Sequence, residues 1–231
     1  MGKLFKGFLG VAFLVVGLIG LTVLPAAAQV TIPPGSTVNS AIFSIYEIGP
    51  NNQVVYLHRL TTDWDELTVT INSLGGQWDA AVAGSFVADA SYAWKTVDLT
   101  ALVQAWVNGV PNYGFIMMQD PMTPACQYRS SEYTTVPAFR PKLEIWYTTP
   151  AGLPQYVMIQ RPGLESDGVA DAAIRDFINH GSDPSLTTGY YNDIEKYSVV
   201  KFRFTVLPSP GTGTPGYWMN HPEAWPVDMI V

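Results

Sequence analysis

Three acidic side chains crowd one short stretch, Asp63, Asp65 and Glu66, and paired carboxylates are what glycoside hydrolysis uses. The same stretch also reads as a turn whose carboxylates are solvated or cap the chain that follows. No second convergent group marks it as catalytic, so no catalytic residue is assigned. The histidines His58, His180 and His221 are scattered, and neither a nucleophile elbow, a phosphate loop nor a zinc spacing occurs. Asp167 and Asp171 put two hard oxygen ligands at one strand end, which suits calcium; a solvated turn is the other reading. Trp78, Tyr92, Trp94 and Tyr128 fall in loops or at strand edges, where aromatic rings either form platforms for a ligand or close the core. Cys126 is the only cysteine and has no internal partner, which suits a small buried core residue.

The elements that must position these residues show mostly a period of two. Leu67, Val69 and Ile71 alternate with threonines, Leu143, Ile145 and Tyr147 with Lys142, Glu144 and Trp146, and Val200, Phe202, Phe204 and Val206 with Lys201, Arg203 and Thr205. Each predicts a strand with one buried face. The runs 41–48, 54–60 and 114–119 are apolar on both sides and predict deeper strands. One short helix is marked by Asp98 as cap, the stripe Leu99, Leu102, Val103 and Trp106, then Gly109 and Pro111. Residues 150–165 and 209–215 read as linkers. The pattern is all-β: an antiparallel β-sandwich, jelly-roll-like, with one short crossover helix and a hydrophobic segment in front.

That segment predicts export. Lys3 and Lys6 precede an apolar run from Phe8 to Leu24, and Ala26 and Ala28 supply the small residues a signal peptidase requires, predicting cleavage after Ala28 and a secreted or cell-surface product. If retained, the run would anchor the chain in a membrane. Without Lys3 and Lys6 the formal net charge of −7 becomes −9, an acidic balance that argues against nucleic acid as a partner.

Further motifs carry a family resemblance. Asp63-Trp64-Asp65-Glu66 with Val69-Thr70, Val97-Asp98-Leu99-Thr100 running to Val103, Trp106 and Gly109, Asn112-Tyr113-Gly114-Phe115, Arg129-Ser130-Ser131-Glu132, and Arg140-Pro141 before Leu143 and Tyr147 follow one another in a fixed order. Residues 36–148 resemble the DNRLRE domain, a secreted β-sandwich related to the disaggregatase-related repeats and to alginate-binding carbohydrate modules. Ile71 departs from it, standing where the family usually has tryptophan. The resemblance implies a non-catalytic module that binds polysaccharide or cell-surface matrix. It offers Arg129, Glu132 and Arg140, beside Tyr128 and Trp94, as ligand contacts; for the three charged residues an internal ion pair between strands is the alternative.

The family's opening strands are missing from the start of the match, yet residues 166–208 resemble them. Asp171 to Phe177 therefore reads as strand, although Asp171 to His180 followed by Gly181 has a helical pattern. Two complementary pieces in reversed order lead to three expectations: a circularly permuted domain completed within the chain, strand exchange between copies in a filament or adhesin stalk, or a gene fragment. A polysaccharide-active enzyme of which this is a part is a further alternative. Residues 216–231 resemble the start of another module found in exported bacterial proteins, and make the last domain boundary.

Overall fold

The computed structural model describes residues 30–89, 92–119, 123–162, 168–175 and 177–207. The apolar N-terminal run, Asp167 and the segment 216–231 lie outside them, and no helix among the described residues is long and apolar enough to cross a membrane. In chain order the elements are β1 (Thr31–Ile32), β2 (Thr37–Gly49), β3 (Gln53–Leu60), α1 (Ile71–Leu74), β4 (Trp78–Ala88), β5 (Ala93–Asp98), α2 (Thr100–Val107), β6 (Phe115–Met118) and β7 (Cys126–Arg129). They continue as β8 (Lys142–Thr148), β9 (Pro154–Gln160), β10 (Val169–Arg175), β11 (Ile178–His180), β12 (Ser185–Tyr191), β13 (Ile194–Phe202) and β14 (Thr205–Val206).

These strands form an antiparallel β-sandwich. One sheet is built on β2, whose residues Ala41, Phe43, Ile45 and Glu47 are fully buried while Ser40, Ile42 and Tyr46 on the other face are only partly buried. β5 pairs along one side of β2, and β8 and β7 along the other, with β9 outside β8. The opposite sheet runs β4, β3, β6 and β13, with β10 and β11 on the far side of β13. Phe43, Phe115 and Phe202 meet edge to face between the sheets, with ring centroids 5.0 and 5.8 Å from Phe43. β12 passes from one sheet to the other: Ser185–Thr188 pair with β7, then Gly189–Tyr191 with β13. Gly189 sits at the switch with φ +99°, where a Cβ would lie 2.8 Å from the Pro124 carbonyl oxygen. A residue with a side chain is excluded there on both counts.

The second sheet is buried on both faces around β6 and β13. Phe115 and Val200 point into the main core, whereas Ile116 and Val199 join Leu60, Val69, Leu74 and Ile174 in a smaller cluster. This is why residues 114–119 lack a polar alternation. The cover is the segment 61–77, and here the sequence expectation fails. Leu67, Val69 and Ile71 do not lie in a strand: Thr70 caps the short helix α1, its side chain accepting the Ser73 amide, and Gly75 closes the helix with φ 58°. The local hydrogen bonds of threonine and serine outcompete the period-two pattern. The predicted helix α2 does form. The Asp98 carboxylate, one residue before the helix's own cap, accepts the Thr100 amide at 2.8 Å. The helix covers the edge of β2 beyond the end of β5, with Gln104 Oε1 accepting the Val38 amide and Thr100 Oγ1 accepting that of Ala41.

Residues 169–206 supply strands to this same body. β13 lies against β6 with Val199 opposite Ile116, and β12 against β7 with Leu186 opposite Tyr128. The strand reading of 171–177 holds over Val169–Arg175. Residues 154–160, read from sequence as linker, are instead the edge strand β9, paired with β8 from Pro154 to Gln160. Pro154 tolerates this position because a strand's first residue at an edge needs no ladder donor. β1 and β14 run parallel, Thr31 beside Thr205 and Ile32 beside Val206. The first and last strands are thus neighbours.

Two motif residues, Asp63 and Asn112, join the two pieces, and Trp64 braces the loop beside them. Asp63 accepts from Lys201 Nζ at 2.7 Å, Trp64 Nε1 donates to the Tyr113 carbonyl, and Asn112 donates to the Phe202 carbonyl at 2.8 Å. Cys126 is fully buried in the core, its sulfur 2.7 Å from the Gly49 carbonyl. Burial pushes its thiol up to about 12, so almost no thiolate exists at neutral pH. Cys126 in the folded protein is therefore expected not to react with a thiol reagent at pH 8 and to react at once in denaturant; a rapid native reaction would contradict this packing.

Candidate functional site

The outward residues of the β2 sheet form a broad strip. On β5 and β2, Trp94 lies directly across from Tyr46, their rings edge to face at 5.4 Å. Phe139 stacks on Tyr46 at 4.0 Å with the planes 6° apart, held there by the turn Pro137–Phe139 before β8. The Tyr46 hydroxyl donates to the Tyr92 carbonyl at 2.8 Å, which fixes the ring. On β8 and β9, Trp146 lies across from Tyr156, with centroids 4.9 Å apart. Trp94 is 37 % exposed, Trp146 39 % and Tyr156 48 %, so these rings offer faces to solvent while leaning on one another.

Polar groups fill the strip between the two aromatic pairs. Lys142 pairs with Glu144 at 2.8 Å, and its ammonium stands 5.6 Å from the Trp94 ring centre. Glu144 also accepts from the Tyr156 hydroxyl at 2.9 Å. The hydrogen bond from Lys142 and that from Tyr156 hold the Glu144 carboxyl below the usual range. The register sets the scale. Tyr46 and Ser40, the latter paired with Trp146, are six residues apart on β2, or about 20 Å at the rise of a strand. The result is an extended surface with an aromatic pair at each end and charged, hydrogen-bonding side chains between. It suits an elongated ligand carrying both apolar faces and many hydroxyls.

Of the ligand contacts expected from sequence, only Trp94 belongs to this strip. Tyr128 is fully buried, its ring against Phe86 at 5.7 Å and its hydroxyl 3.3 Å from Thr188 Oγ1, so it closes the core. Arg140 is 2 % exposed: its Nε donates to the Tyr133 carbonyl and its Nη1 to that of Arg161. Arg129 stands over the Tyr133 ring at 3.9 Å. Glu132 is ion-paired to Arg161. All three turn to internal contacts rather than to the strip, but only Glu132 shows the ion pair of the alternative, with Arg161 of the expected linker as its unforeseen partner. Of the three carboxylates in the turn, Asp65 serves as a local cap, accepting the Leu67 amide, but Glu66 is buried rather than solvated. Asp171, read with Asp167 as a calcium ligand at a strand end or else as part of a solvated turn, is wholly buried within β10 beside Glu66 and Glu132, which excludes the solvated turn. Tyr92 is exposed just before β5 and borders the strip through its carbonyl, whereas Trp78 lies elsewhere, packed against the smaller core cluster.

Sequence reasoning missed Tyr156 and Trp146. The signal was present: Tyr156 and Met158 alternate with Val157 and Ile159, and Trp146 lies on the polar side of its strand. Comparison with curated proteins and with solved structures yields no match. A family model, carbohydrate-binding module family 96, matches residues 29–147, which is over half of the chain and includes β2, β5 and β8 of the strip. By that match the chain belongs to carbohydrate-binding module family 96.

Proposed function

We propose that this chain is an exported, non-catalytic module that binds a polysaccharide along the outer face of β5, β2, β8 and β9. The observation that carries the reading is the pairing of exposed rings at both ends of the strip, Trp94 with Tyr46 and Trp146 with Tyr156, around Lys142 and Glu144. Pyranose rings present apolar C–H faces, which stack on such aromatics, and equatorial hydroxyls, which meet the charged groups. An open face rather than a closed pocket favours the interior of a long chain over a free monosaccharide. Family membership supports carbohydrate as the ligand class. Residues 1–28 support export, and the order of the pieces supports a circularly permuted domain complete within the chain.

The test is a screen on soluble and insoluble polysaccharides, neutral and uronic, by affinity electrophoresis and pull-down. Retention by at least one polymer, with oligomers binding increasingly well up to several sugar units, is expected. No retention on any polymer, or equal affinity for a monosaccharide, would refute the reading.

A further inference from the structure

The densest buried charge lies away from the outer face, where β10 meets the loops after β3 and β7. Glu66, Glu132 and Asp171 each bring a carboxylate oxygen within 4.8 Å of the others. Asp171 is wholly buried. Its Oδ2 accepts the Ser131 amide at 2.8 Å, and its own amide donates to Glu66 Oε1 at 3.0 Å. Its Oδ1 is buried without any hydrogen-bond partner, and so is Glu132 Oε2. Two orphaned carboxylate oxygens on adjoining residues are strongly unfavourable unless something positive stands between them.

Arg161 does not fill that role. Its Nη1 bonds Glu132 through the other oxygen, Oε1, lies 3.6 Å from Glu66 Oε1, and also donates to Ser131 Oγ at 3.0 Å. Arg140 is near enough for its charge to act on Glu132 and Asp171, but two of its nitrogens are held by the carbonyls of Tyr133 and Arg161. Among the groups in direct contact, three carboxylates face one guanidinium. With Arg140 nearby, carboxylates still outnumber guanidiniums, and the two orphaned oxygens face no donor.

We propose that Glu66, Glu132 and Asp171 form a binding site for a hard divalent cation, with the dimensions of Ca2+. An ion bound at about 2.3–2.6 Å to each oxygen requires ligand oxygens no more than roughly 5 Å apart, the spacing present here. The all-oxygen donor set disfavours zinc, which takes nitrogen and sulfur. Magnesium holds several waters in a strict octahedron, and a site this enclosed offers little room for them. The ligands come from three separate segments, with 105 residues between Glu66 and Asp171. The ion therefore ties the strands of 169–206 to the body formed by residues 31–149. In this proposal Asp171, paired with Asp167 in the sequence expectation, instead has Glu66 and Glu132 as its partners.

The test compares the purified protein after dialysis against calcium and after treatment with a chelator. One calcium per chain by elemental analysis is expected, with a melting temperature about 5–10 °C higher at calcium a hundredfold above Kd than in chelator. Magnesium at the same concentration should give a smaller shift. Asp171→Asn and, separately, Glu132→Gln should abolish the calcium-dependent shift; since the wild-type comparison needs no variant, a variant that fails to fold leaves the result standing. Trp94→Ala, which alters only the outer face, should retain the shift, so failure of glycan binding and failure of the cation site are told apart. Absence of bound calcium together with identical melting in calcium and chelator overturns the proposal and leaves a proton shared between Asp171 and Glu132 as the occupant.

Discussion

Phe202→Ala is expected to destabilise the protein by about 3–5 kcal/mol, the range for truncating a fully buried phenylalanine. Its ring is fully buried and meets Phe43 edge to face at 5.8 Å, and Phe43 in turn meets Phe115. The cavity would open at the junction between β13, β2 and β6, which belong to both sheets and to both pieces of the sequence. Close-packed neighbours from two sheets cannot collapse into it, so the upper part of the range is expected. For a domain of this size that is a fall of roughly 10 °C in melting temperature by circular dichroism. Leu67→Ala is the control, because Leu67 is 66 % exposed in the loop before α1 and its truncation should change stability by no more than about 0.5 kcal/mol. If the two variants melted together, residues 194–202 would not be part of the central core.

Trp94→Ala and Trp146→Ala are each expected to weaken polysaccharide binding by about 10- to 30-fold, the loss typical of an aromatic anchor worth some 2 kcal/mol. Both rings are partly exposed and stand at opposite ends of the strip, about 20 Å apart by strand rise. Sites so far apart do not share partners, so the double variant should lose at least about 100-fold by additivity. Folding should survive in all three, since the rings lie on the solvent side of the sheet and lose little more than the edge contacts to Tyr46 and Tyr156. Affinity electrophoresis with unchanged melting curves checks both statements. Binding that is unchanged in the double variant would move the ligand off this face.

The division of labour between sequence and tertiary structure is visible at particular residues. Period-two alternation predicted β8, and the apolar stripe predicted α2, because a half-buried element writes its own burial into the order of its side chains; the strand expected from Val200 to Val206 instead ends at Phe202 in β13, which is buried on both faces. The all-β class and the buried state of Cys126 were legible on the same ground. The segment 67–71 has the same alternation and is not a strand, because Thr70 and Ser73 satisfy each other's backbone amides within one turn. β9 was hidden by Pro150, Gly152 and Pro154 at its start, although Val157 and Ile159 carried the alternating signal. The outer face was half legible: which side Trp146 takes follows from its strand, but that it meets Tyr156 depends on a register set by pairing. The charged motif residues were identified by type, and their fate was not. Glu66, Glu132, Asp171 and Arg161 come from four places in the chain, and only the closure of the sandwich makes them neighbours. Local sequence determines periodicity, caps and turns, since these depend on residues a few positions apart. Burial of charge and assembly of a binding face depend on which strands lie side by side, and that is decided by long-range packing.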